Sequence, residues 1–132
     1  MTRNLIHPPT VTREHTMNTS ELAALLPLVN NSKYHSYVVP SNYISRIPLT
    51  KFPIQIIFNV DRSNMIGSHW CSLYVNKVKG LITSIYFDSA CNSLKSYGIK
   101  LNFPHTTFAK YPVQKNSTAT CGLFTLYILN QL

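Results

Sequence analysis

The clearest apolar run in the chain is Ile54 to Val60, β-branched and aromatic with no charge inside it. It predicts a strand buried on both faces. Apolar and polar positions then alternate over His69 to Val75 and again over Leu81 to Phe87, which predicts two strands joined by a turn across Asn76 to Gly80. Before these, Tyr37 to Pro53 is punctuated by Pro40, Pro48 and Pro53 and reads as extended chain. A short helix is expected from Glu21 to Leu26. Asn18 or Thr19 caps it, Glu21 sits in the first turn, and Pro27 and Asn30-Asn31-Ser32 end it. Asn92 to Tyr97 predicts a short helix or turn, and Phe108 to Val113 a last strand. Cys121 to Leu129 is apolar on nearly every side, so a helix there belongs in the core. The pattern gives one domain over 18–132 and a disordered tail over 1–17, where Pro8-Pro9 and four threonines stand without an apolar period.

Composition narrows the function classes. No run approaches the eighteen or so apolar residues of a membrane-spanning helix, and no apolar stretch follows Arg3, so no signal peptide and no membrane association are expected. Three cysteines without such a signal favour a reducing, intracellular compartment with free thiols. No Cys/His spacing resembles a zinc site, and no metal is expected. Twelve basic residues against four acids give a net charge of +8. That balance attracts polyanions, although the cations are scattered from Arg3 to Lys115 and suit an ordinary solvated surface equally well.

The four acids are Glu14, Glu21, Asp61 and Asp88, and Asp88 alone ends an apolar strand. Cys121, at the mouth of the apolar helix, has the strongest chemical potential. A free thiol ionises near pH 8.5; unpaired N–H groups at a helix start and a neighbouring imidazolium both lower that value. His69 opens a strand and is the best imidazole candidate. His7, His15, His35 and His105 fall in loops or the tail. Asp88 could accept from Nδ1 of the histidine and fix its tautomer. Gln114, seven positions before Cys121, could join the Cys121 N–H as an oxyanion donor, and Gly122 would let substrate backbone approach. Trp70 is a candidate cleft wall. Taken singly, each residue has an ordinary reading: a core thiol, a half-buried histidine, a turn aspartate, a loop glutamine, a core indole. Together, in the order His, Asp, Gln, Cys, they describe a cysteine protease. Cys71 and Cys91 are expected to be inert thiols.

The motifs Gly67-Ser68-His69-Trp70, Tyr86-Phe87-Asp88-Ser89, and Gln114 followed by Asn116-Ser117 and Cys121-Gly122-Leu123-Phe124 resemble the adenain-type proteases of adenoviruses, other viruses and virus-like transposons. These share a clan with the ubiquitin-like-protein-specific proteases. The resemblance implies a compact α+β cysteine-protease fold, a central, mostly antiparallel sheet with the nucleophile at the N-terminus of a buried helix. It also implies a viral or virus-like endopeptidase that processes capsid or core precursors. His69 would be the base, Asp88 its orienter, Cys121 the nucleophile and Gln114 the oxyanion donor. Two other readings stay open: an isopeptidase acting on ubiquitin-like modifiers, and a non-catalytic basic module binding nucleic acid or a partner. The expected partners are protein substrates, with DNA held non-specifically through phosphates. The chain is expected to act as a monomer, in the host nucleus or the virion if viral. No cofactor is required by the sequence. An activating peptide or DNA are the candidates, and the absence of cysteine from Asn102 to Val113 argues against a disulfide tether there.

Overall fold

The computed structural model describes residues 18–60, 69–88, 90, 92–107, 125–126 and 128–130. Helix α1 (Thr19–Leu25) starts with a capping box: Asn18 accepts from the Glu21 N–H and the Glu21 carboxylate accepts from the Asn18 N–H. Pro27 does not end the helical path. It falls in the first turn of a 3₁₀ helix, Leu26–Ser32, where its missing N–H breaks no hydrogen bond. Leu22, Leu26 and Val29 form the buried stripe of this double segment.

Five strands follow in the order β1-β2-β3-β4-β5: β1 (His35–Pro40), β2 (Ile54–Asn59), β3 (Trp70–Val78), β4 (Leu81–Phe87) and β5 (Thr106–Thr107). The central pairings, β2 with β3 and β3 with β4, are antiparallel. The flanking ones, β1 with β2 and β4 with β5, are parallel. Extension from Tyr37 to Pro53 was the sequence expectation, yet the chain turns at Ser41 into a 3₁₀ helix, Ser41–Arg46. A parallel partner requires the chain to travel back before it can pair, and this crossover does so. All six residues of β2 are buried, as a strand flanked and covered on both faces must be. The β3–β4 turn is shorter than the sequence implied. Val78 pairs with Leu81, leaving Lys79 and Gly80 at φ of 51° and 81°, the left-handed pair a two-residue hairpin needs.

Alternation sorts the sheet into two faces. One buries Ile54, Ile56, Phe58, Cys71, Leu73, Val75 and Tyr86 under Ile44, Ile47 and Leu94. The other packs Ile57 and Trp70 against Leu22, Leu26 and Val29 of the first helices and Leu126 and Leu129 of the C-terminal helical residues. Among the described residues no helix is long and apolar enough to cross a membrane. Four strand ends meet at one end of the sheet: the carboxyl ends of β1, β2 and β4 and the amino end of β3. His69 and Asp88 stand there. The tail 1–17, the strand expected over Phe108 to Val113, and Gln114, Cys121 and Gly122 lie outside the described residues.

Candidate active site

Strand register explains why His69 and Asp88 meet. The β3–β4 ladder ends at Ser72 opposite Phe87, so one step further sets Cys71 across from Asp88. His69 is two residues beyond Cys71 and shares its face. A diagonal neighbour at that separation is within reach of a long side chain. The backbone of His69 is itself fixed, because the Val60 N–H donates to its carbonyl at 3.0 Å and carries the β2–β3 pairing past the end of both strands.

The histidine Nε2 lies 2.6 Å from Asp88 Oδ1, and both residues are buried, at 7% and 1% exposure. The nitrogen facing the carboxylate is therefore Nε2, not the Nδ1 expected from the sequence. Asp88 accepts further bonds from the Ala90 N–H at 3.0 Å, the Asn92 N–H at 3.0 Å and the Tyr97 hydroxyl at 2.5 Å. Burial pushes its carboxyl up. Hydrogen bonds from His69, then Tyr97, then the Ala90 backbone outweigh that and hold it below the usual carboxylate range. The turn-forming reading of this aspartate holds, since it accepts from backbone N–H groups two and four residues on, and the same carboxylate faces the imidazole.

Cys71 sits beneath the pair, fully buried, with Sγ 3.8 Å from the Tyr86 hydroxyl. Burial pushes its thiol up to about 11, so it is protonated at neutral pH. Donor atoms of His69, Cys71 and Asp88 lie within 4.8 Å of one another, close enough to frame a metal ion. Each Asp88 oxygen already accepts two donors, however, and one of these is His69 Nε2, so the arrangement supports hydrogen bonding and not ligation.

Trp70, expected at a cleft wall, is 4% exposed and packs in the helix-facing core, with little surface to offer a substrate. Gln114, Cys121, Gly122 and Cys91 are outside the described residues. Sequence reasoning missed Tyr97 and Asn92. The spacing from Asp88 to Asn92 carried a signal, because an aspartate ending a strand seeks N–H groups within the next few residues.

No protein-family model and no curated protein matches the sequence. Solved structures do. The chain is similar to AvrA delL154 with IP6 and CoA at 17% identity and a TM-score of 0.51, covering 90% of this chain and 52% of that one. It therefore spans about half the length of that chain. A likeness to the ASFV pS273R protease is weaker, with a TM-score of 0.38 and 22% identity over 58% of this chain and 33% of that one. The likeness to AvrA delL154 is one of fold alone, and it does not single out the adenain branch.

Proposed function

We propose that this protein is a cysteine endopeptidase in which Cys121 is the nucleophile, His69 its proton partner, Asp88 the orienter and Gln114 an oxyanion donor. The observation that carries the reading is the buried His69–Asp88 pair at 2.6 Å. With Nε2 held by Asp88, Nδ1 exchanges the proton with the thiol. The thiolate attacks the scissile carbonyl carbon, and the resulting oxyanion takes hydrogen bonds from the Cys121 N–H and the Gln114 amide. Collapse breaks the C–N bond, and the imidazolium gives its proton to the departing amine. Water, deprotonated by His69, then attacks the thioester and releases the acid and the thiolate. Viral or virus-like structural precursors are the proposed substrates, on the strength of the adenain-like motifs around His69, Asp88 and Cys121.

Iodoacetamide alkylation across pH 4–9, read cysteine by cysteine, tests this reading. Cys121 should react fastest, with an apparent pKa well below 8.5 that rises in His69→Ala. Cleavage of a pooled fluorogenic peptide library should vanish in Cys121→Ala; activity surviving that change would end the mechanism. Modifier-fusion substrates separate the isopeptidase reading. Because the similar structure AvrA delL154 holds CoA, acetyl-CoA is the needed control: a stable acetyl group passed to a protein hydroxyl or amine would favour acyl transfer over hydrolysis.

A further inference from the structure

Tyr97 reaches Asp88 from a different element than any other partner of the pair. It ends the 3₁₀ helix Lys95–Tyr97, which Gly98 closes at φ 74°. Buried Leu94 anchors that helix, its carbonyl taking the N–H groups of both Tyr97 and Ile99. The phenol oxygen accepts from Asn92 Nδ2 at 3.1 Å. Its own proton is therefore directed at the carboxylate, 2.5 Å away on Oδ2. The ring centroid stands 6.0 Å from that of His69, tilted by 40°, so the same side chain also shields the imidazole. Tyr97 further lines a cleft of about 360 Å³ with Ser41, Asn42, Val60 and Lys100.

We infer that Tyr97 is a positioning residue for the His69–Asp88 pair, pinning Oδ2 so that Oδ1 stays on the imidazole. This rests on the peptidase reading for its catalytic meaning, but the pinning itself does not. The titratable groups facing Asp88 among the described residues are His69 and Cys71 from β3, Tyr86 from β4 and Tyr97. Among the described residues only Tyr97 and His69 bond its carboxylate through a side chain. Burial, then the bond to Asp88, raises the phenol's own ionisation, so it stays a donor throughout the working range.

Two variants of the full chain decide the matter, Tyr97→Phe and Tyr97→Leu. Each is read by ¹³C titration of the Asp88 carboxyl and by the alkylation rate of Cys121 at pH 7. Losing the hydroxyl alone, in Tyr97→Phe, should raise the carboxyl pKa by roughly half to one unit. It should also slow Cys121 alkylation by roughly tenfold, with Tyr97→Leu adding little more. A Tyr97→Phe protein that matches the parent in both readouts, with only Tyr97→Leu impaired, would reduce Tyr97 to packing and overturn the inference. An unmoved carboxyl overturns it whatever Cys121 does. If Cys121 in the parent is no more reactive than Cys71 but the carboxyl still shifts in Tyr97→Phe, the peptidase reading falls while the positioning role stands.

Discussion

Two buried polar clusters serve this sheet in opposite ways. On the helix-facing side Gln55, fully buried in the middle of β2, donates to the Leu26 carbonyl and the Ser36 hydroxyl, both at 2.8 Å. Asn30 bonds the Leu129 carbonyl at 2.9 Å, so the first helices, the sheet and the C-terminal helical residues are joined. Every side chain in that cluster is neutral. Asn30 Oδ1 and Asn130 Nδ2 find no partner among the described residues. At the sheet end, four donors converge on one carboxylate and both of its oxygens are committed twice. Neutral amides tie elements together at any pH. A charged, fully bonded group makes the local energy depend on protonation, which proton transfer requires.

Asp88→Asn should break the second cluster most severely. The amide keeps the shape but loses the charge, and alkylation or peptide hydrolysis at Cys121 is expected to fall by roughly 10²–10⁴-fold while circular dichroism stays unchanged. A rate left intact would remove Asp88 from the site. Gln55→Leu should do the reverse. Losing the Gln55 bonds to the Leu26 carbonyl and the Ser36 hydroxyl is expected to cost about 2–3 kcal/mol in denaturant unfolding, with the Cys121 alkylation rate within about twofold of the parent.

A pH series sharpens the contrast. Asp88 ionises more readily folded than unfolded. Its contribution to stability should be complete above the unfolded carboxylate value, about pH 4, and fade as pH falls through the lower folded value. The stability gap between parent and Asp88→Asn should close over that acid range. The gap for Gln55→Leu should stay flat, and a gap that closes equally for both would refute the distinction. Far from either cluster, Lys79 holds φ 51° at the hairpin tip. Asparagine tolerates that backbone better, so Lys79→Asn should add about 0.5 kcal/mol without touching the chemistry.

Much of the fold was legible because burial writes a period into the sequence. Ile54 to Val60 could only be a covered strand, the Leu81 to Phe87 alternation gave β4, and Asn18 with Glu21 announced α1. The 3₁₀ segments were not legible. Pro27 reads as a stop when seen alone, and Ser41–Arg46 has no apolar period to declare it, since its conformation follows from the parallel return to β2. His69 and Asp88 were found because each ends a strand. Which nitrogen faces the carboxylate depends on register and ring rotation, which the sequence does not encode locally. Tyr97 went unnoticed for a related reason: one tyrosine among eight carries no mark of its partner.

The backbone bond from Val60 to the His69 carbonyl has a bearing on how this chain could be redesigned. It ties Val60, just past β2, directly to His69, just before β3. Closing a loop across such a clasp grows costlier only with the logarithm of its length, about 0.6 kcal/mol per doubling. The stretch between Val60 and His69 can therefore take added residues at little cost in chain entropy while His69 keeps its place. That makes it the natural position for a peptide tag, a recognition insert or a reporter beside the His69–Asp88 pair.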